Sequence, residues 1–251
     1  MNWIGNRYRL NLQYLGSNYC GWQIQQNGIT VQQVLQEKLS QLCNSPVELV
    51  GCGRTDSGVH ARRFTAHFDF DGEIPTDLAY RINKMLPNDI SVFDCQAISP
   101  EFHARFSAIR RSYEYYIHLE KNAFLSQTSW WNPQLASADI DLANQAASWM
   151  VGTHPFSAFC KGEIPNNNPL CEVFEANWSQ TECGWVFRIT ANRFLRNMVR
   201  ATVGTLLDVA QKRSSMEEFK SLLMGGNRSD AGNSVPACGL FLTEVHYPSH
   251  F

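Results

Sequence analysis

Between Gly51 and Ala61 the chain reads Gly51-Cys52-Gly53-Arg54-Thr55-Asp56-Ser57-Gly58-Val59-His60-Ala61. One cation, one carboxylate and small hydroxyls share a turn punctuated by glycine. The run before it, Val47 to Cys52, is apolar and strand-like, so the turn leaves the end of a strand. Gly53 and Gly58 are expected to free the backbone to bend tightly around Asp56. A carboxylate projecting from a rigid strand end is how a protein holds a reactive group still. An isolated Asp-Ser-Gly is an ordinary surface turn; Arg-Thr-Asp between two glycines, followed by Val-His-Ala, is much less generic.

Further blocks follow in a fixed order. They are Tyr14-Leu15-Gly16-Ser17-Asn18-Tyr19-Cys20-Gly21-Trp22-Gln23, Phe102-His103-Ala104-Arg105-Phe106-Ser107-Ala108 and Arg111-Ser112-Tyr113-Glu114-Tyr115. After them come Gly152-Thr153-His154-Pro155-Phe156-Ser157-Ala158-Phe159, Phe194-Leu195-Arg196-Asn197-Met198-Val199-Arg200 and Pro236-Ala237-Cys238-Gly239-Leu240-Phe241-Leu242. Together with the Asp56 turn they resemble the motifs of the TruA family of tRNA pseudouridine synthases, nearly end to end. Ser57, Arg62-Arg63 and Val235 depart from the usual wording of those motifs, which touches details of RNA contact only.

The resemblance implies an isomerase that breaks the C1′–N1 bond of a uridine, turns the base and forms C1′–C5, with no cofactor. It implies Asp56 as nucleophile, tRNA as partner, uridines at positions 38–40 of the anticodon stem-loop as targets, and a homodimer. Tyr113 would stack on the target uracil, its hydroxyl assisting proton removal at C5. Arg200 is the candidate cation that keeps Asp56 ionised, because burial raises an Asp pKa and a guanidinium lowers it. Arg54, two residues before Asp56, is placed to fill the gap left by a flipped base or to hold that nucleotide's phosphate. Leu240 either packs against the uracil or Asp56, or is a plain strand-start core residue. For Tyr115 the plain reading is core.

Two other readings compete. A non-catalytic RNA-binding or RNA-folding protein on the same fold would not need Asp56, Arg200 and Tyr113 together, and RNP-type aromatic motifs are absent. A metal-dependent phosphohydrolase would use Asp69-Phe70-Asp71, whose carboxylates alternate onto one strand face, but no third ligand has matching spacing.

The elements that must position these groups come in a repeated order. Tyr8 to Tyr14 alternates as a strand, Thr30 to Leu42 has helical periodicity with Thr30-x-x-Gln33 as a capping box, and Val47 to Cys52 is a strand. Phe64 to Phe70 is the next strand, Leu78 to Leu86 a helix, and Ile90 to Ala97 another strand. The second half runs strand (Ser112 to Leu119), helix (Asp139 to Val151, stopped by Gly152), hairpin (Cys171 to Ser179 and Trp185 to Ala191) and helix (Phe194 to Val209). A helix capped by Ser214-x-x-Glu217 and a last strand, Leu240 to Tyr247, follow. The long helix would carry Arg193, Arg196 and Arg200 on one stripe.

Two β-α-β-β-α-β units suggest an α+β protein of two tandem ferredoxin-like halves. The expected division is residues 1–98, a linker at 99–111, and residues 112–251. The family resemblance implies that the halves join into one mixed, mostly antiparallel sheet with helices on one face and a central RNA-binding cleft. Pro155 to Pro169 reads as a long loop, either a mobile flap or a disordered insertion.

Composition fits. In 251 residues, 44% are hydrophobic and 18% charged, and no apolar run is long enough to span a bilayer. Met1 to Arg7 lacks a leader's apolar core, which points to the cytosol. Eight dispersed cysteines without a C-x-x-C pair read as free thiols, and seven dispersed histidines give no metal motif. Net charge is −2, yet arginine outnumbers lysine 15 to 6, and Arg54, Arg62, Arg63, Arg105, Arg110 and Arg111 gather in the first half. A local basic groove on a near-neutral body suits transient contact with RNA.

Overall fold

A computed structural model describes residues Asn6–Phe251. Met1–Gly5, within the stretch read above for a leader, lie outside the described residues. The described chain is a mixed α+β protein that divides into two compact units. One is the chain up to Ile109 together with Leu242–Phe251, and the other is Arg110–Phe241.

In the first unit, β1 (Asn6–Tyr14) alternates as its sequence demands, burying Tyr8, Leu10, Leu12 and Tyr14. Helix α1 (Val31–Leu42) opens where the Thr30 hydroxyl accepts the Gln33 N–H at 3.3 Å, and it buries Val31, Leu35 and Leu39. There follow β2 (Val50–Gly51), β3 (His60–Phe70), α2 (Leu78–Asn83) and β4 (Ile90–Ile98). Strand β1 lies between β3 and β4, antiparallel to both, and β2 pairs with β3.

The strand expected over Val47–Cys52 shrinks to two residues because its backbone bonds go elsewhere. Ser40 accepts the Val47 N–H at 3.0 Å, Gln36 accepts the Leu49 N–H at 3.0 Å, and Gln32 donates to the Leu49 carbonyl at 2.8 Å. Side chains of α1 thus take the groups that a sheet would have used.

The second unit contains β5 (Arg110–His118), β6 (Trp130–Trp131), α3 (Ile140–Ser148), β7 (Gly152–Pro155), β8 (Leu170–Gln180) and β9 (Gly184–Ala191). It also contains α4 (Met198–Ala210) and α5 (Met216–Leu223). Its strands run β5-β9-β8-β7, all antiparallel, with β6 added parallel to β5. The final strand, β10 (Leu240–His246), enters the first unit at Leu242 and lies beside β3.

Several sequence expectations need correction. Helix α4 begins at Met198, not Phe194, because Asn197 adopts a left-handed conformation (φ 65°) and donates to Ser234 Oγ at 2.7 Å. Arg193 and Arg196 therefore lie ahead of the helix, and the three-arginine stripe does not exist. The capping box of α5 uses Ser215 and Glu218, one residue later than expected. Strands β6 and β7 were not apparent in the sequence; Gly152 (φ 110°) starts a strand rather than merely stopping a helix. The Pro155–Pro169 segment is neither a loose flap nor an insertion throughout, since Phe156, Ala158, Phe159 and Cys160 are core.

Residues 99–109 pack onto the first unit. The Phe102 ring meets Tyr247 and Phe251 at 4.9 and 5.4 Å, and the Tyr247 hydroxyl donates to the Ala104 carbonyl at 2.7 Å. Beneath them His67 is buried, its Nδ1 accepting the Ala104 N–H at 3.1 Å. Burial, reinforced by the charge of Arg7, lowers the His67 pKa to about 4. An unfolded histidine protonates near 6.5. Between these values the unfolded chain binds more protons, so stability is complete above pH 6.5 and declines as pH falls toward 4. Denaturant midpoints measured at pH 7.5 and 5.0 should show this loss, and His67→Gln should reduce the difference between them.

Candidate active site

Asp56 is half-buried in a loop whose neighbours are all fixed. On its N-terminal side Thr55 is buried, its hydroxyl sharing a 2.9 Å hydrogen bond with that of Tyr14, and its carbonyl accepting the Trp22 N–H at 3.2 Å. On its C-terminal side the Tyr19 carbonyl accepts from Ser57 Oγ at 3.2 Å and from the Gly58 N–H at 3.4 Å. The Asp56 carbonyl itself accepts the Val59 N–H at 3.1 Å, closing the turn. Beyond it, buried His60 accepts the Gly16 N–H on Nδ1 at 2.9 Å, a bond that requires that nitrogen to be unprotonated. Gly58 (φ 79°) carries the bend. Gly53, expected to share that work, has no left-handed φ, and a side chain there would meet open space.

Segment 16–22 is therefore the other half of the loop's structure. Gly21 (φ 83°) lies so close to Thr55 and Asp56 that any Cβ would collide with the Thr55 carbonyl, and a Cβ on Gly16 would strike that of Val59. Trp22 stacks on Phe64 with ring centroids 4.0 Å apart. The segment is tied down in turn by Asp89. Its carboxylate accepts from the Tyr19 hydroxyl at 2.6 Å and from Asn18 Nδ2 at 3.0 Å, while its carbonyl accepts the Leu15 N–H at 2.9 Å. Burial, and then the bond to Asp89, push the Tyr19 hydroxyl pKa well above its ordinary value.

The Tyr14–Gln23 motif thus cradles Asp56, a role that its sequence alone does not show, and Asp89 joins it. Two glycines around Tyr19 were the available signal for the first. For Asp89 the chain offered none.

Arg54, beside Thr55 in the same loop, is exposed. Tyr113, Arg200 and Leu240 belong to the second unit. Tyr113 lies on β5 with its ring edge-on to Phe194 at 4.9 Å. Tyr115, two residues on, is fully buried and donates to the Pro236 carbonyl at 2.9 Å, as its plain reading as core requires. Arg200 sits in the first turn of α4. Its Nε donates to the Val235 carbonyl at 2.7 Å, and the Val235 N–H returns a bond to the Arg200 carbonyl at 3.2 Å. A cation at a helix N-terminus opposes the macrodipole, a cost that the bond to the Val235 carbonyl offsets. Its field reaches Tyr115 and Cys238. Leu240 is buried where β10 begins.

Among the surface cations, Arg63 lies over Phe93 at 4.9 Å and Arg110 over Phe174 at 4.2 Å. Both Asp69 carboxylate oxygens accept from one edge of the Arg7 guanidinium, Nε and Nη2, each bond 2.7 Å. This takes away the first ligand of the phosphohydrolase reading. Among the described residues no three His, Cys, Asp or Glu side chains come together to hold a metal, and no helix is long and apolar enough to cross a membrane.

A family model described as tRNA pseudouridine synthase matches residues 12–107 and 146–248, a span that includes Asp56, Arg200 and Leu240. Among similar proteins, a tRNA pseudouridine synthase A from Parabacteroides distasonis is 43% identical over 246 residues, covering 96% of each chain. Those of Bacteroides fragilis and Azobacteroides pseudotrichonymphae are 42% and 41% identical. They cover 96% and 97% of this chain and 96% and 98% of their own.

The two glycine environments give a direct contrast. Gly21→Ala should destabilise the fold by roughly 1–3 kcal/mol or more through left-handed strain and collision. Gly53→Ala should stay within about 0.5 kcal/mol. Urea denaturation of both variants checks this, and equal effects would show that segment 16–22 does not brace the loop.

Proposed function

Because the chain belongs to the tRNA pseudouridine synthase family, we propose that Asp56 is the nucleophile with which it isomerises uridine in tRNA. The activity is that of an isomerase. The C1′–N1 bond breaks, C1′ bonds to C5, the C5 proton leaves and N1 gains one, so atoms and electrons balance without a redox partner. What carries the assignment is about 40% identity to enzymes of this name over nearly the whole chain, with the family match running through the Asp56 loop.

In this reading Asp56 forms a covalent adduct that divides one difficult step into two. Arg200 supplies the positive charge that keeps the carboxylate ionised, and Tyr113 stacks on the uracil with its hydroxyl near the C5 proton. Arg54 secures the flipped nucleotide and Leu240 packs beside the base. The targets are uridines 38–40 of the anticodon stem-loop, the enzyme works in the cytosol as a homodimer, and each half of the chain is ferredoxin-like. Supporting the last point, the first unit has its strands in the order β4-β1-β3 with β2 on β3.

Asp56→Asn should abolish pseudouridine formation while tRNA binding survives, as followed by nucleoside mass spectrometry and equilibrium binding. Arg200→Ala should cost at least about 100-fold in turnover, the scale of losing a charged partner at a reacting group. Lys should restore little of it, since it lacks the planar fork. Near-normal rates for Arg200→Ala would remove the cation from the mechanism. Tyr113→Leu should weaken both binding and rate, whereas Tyr113→Phe should keep binding and lose rate. Equal mild effects would make Tyr113 a packing residue. A monomer with full activity in light scattering at assay concentration would refute the dimer.

A further inference from the structure

Within residues 102–107 of the first unit, an aromatic column rises from the core to the surface. Buried His67 meets the His103 ring at 4.8 Å, and His103 meets Phe106 at 4.3 Å. At the top of the column, Phe106 keeps 75% of its surface exposed. The backbone around it is fixed. His103 Nδ1 accepts the N–H groups of Arg105 and Phe106 at 3.1 and 3.2 Å, Ser107 Oγ accepts the His103 N–H at 3.0 Å, and the Ser107 N–H closes onto the His103 carbonyl at 2.9 Å. The Arg105 side chain is exposed, with its guanidinium 5.5 Å from the Phe106 centroid.

A lone exposed phenylalanine is common and by itself needs no explanation. This one differs in two ways. Its ring rests on that of His103 and its backbone lies in a turn closed by four hydrogen bonds, so a partner stacking on it has less left to order. It also carries an exposed cation at its side, a charge that attracts the phosphate backbone of a nucleic acid. Burial and the charge of Arg7 hold His103 below its ordinary pKa, so the supporting ring is neutral near pH 7.

We infer that Phe106, buttressed by His103 and flanked by Arg105, is a stacking platform for an unpaired base of the RNA substrate, with Arg105 on the adjoining phosphate. The inference rests on the reading of the chain as a tRNA-modifying enzyme, and it adds a contact separate from the Asp56 loop. Base–aromatic stacking is worth about 1–3 kcal/mol per base, or roughly 5- to 150-fold in affinity.

Equilibrium binding of the full chain to an unmodified tRNA transcript tests it. Phe106→Ala should raise Kd by about tenfold or more, with melting temperature unchanged and the slope of log Kd against log salt unchanged. Phe106→Trp should bind within about twofold of the parent. Arg105→Ala should instead flatten the salt slope by nearly one phosphate contact. A fully paired RNA duplex, which offers no unstacked base, should bind the parent and Phe106→Ala alike. A Kd for Phe106→Ala within twofold of the parent would overturn the inference. So would a loss of affinity that tracks a fall in molecular mass by light scattering, since Phe106 would then contact a second copy of the chain. Failure of the parent protein to form pseudouridine in tRNA would instead overturn the family reading, so the two failures are distinguishable.

Discussion

The contact on which the site depends is made by backbone against backbone. Residues 16–22 and 55–60 lie together so closely that two positions in the first segment tolerate no Cβ. The Thr55 and Tyr19 carbonyls each accept a bond from the opposite segment. A surface loop normally moves in proportion to its freedom from such contacts. This one is braced on both sides of Asp56, and its braces are anchored in turn by Asp89, by the Tyr14–Thr55 hydroxyl pair and by Trp22 on Phe64. Chemistry at a glycosidic carbon needs such preorganisation, because a displacement of about 1 Å can cost 100-fold in rate.

The second unit is organised by an analogous principle, with different groups. Arg200 and Val235 exchange bonds through one side chain and three backbone groups, and Tyr115 reaches the next carbonyl, that of Pro236. Gly239 then passes against the Tyr115 ring, where any side chain would clash. The start of α4, the middle of β5 and the approach to β10 are thereby fixed to one another. A guanidinium placed against the helix dipole is an electrostatic cost to the helix, and its bond to the Val235 carbonyl offsets that cost.

Much of this was legible in the chain. Alternation marked β1, and Thr30 marked the start of α1, because in both cases the local signal and the packing agree. The Asp56 turn stood out because its residue types are chemically unusual for their spacing. What could not be read depended on partners distant in sequence. Val47–Leu49 looked like a strand, since nothing local reveals that three α1 side chains will take its backbone groups. Arg193, Arg196 and Arg200 had helical spacing, but Asn197 could adopt a left-handed turn and delay the helix, with Ser234 as its partner 37 residues away. Asp89 was invisible for the same reason: its role exists only once Asn18 and Tyr19 are beside it.

A loop braced on both sides holds the Asp56 carboxylate in one place, so that its position matters as much as its charge. Asp56→Glu tests this most directly, because it keeps the carboxylate and moves it by one methylene. Single-turnover pseudouridine formation with saturating enzyme, alongside tRNA Kd, is the measurement. The rate should fall at least about 100-fold below the parent with Kd unchanged. A Glu variant within about tenfold of the parent rate would show that rigid placement of the carboxylate is not required.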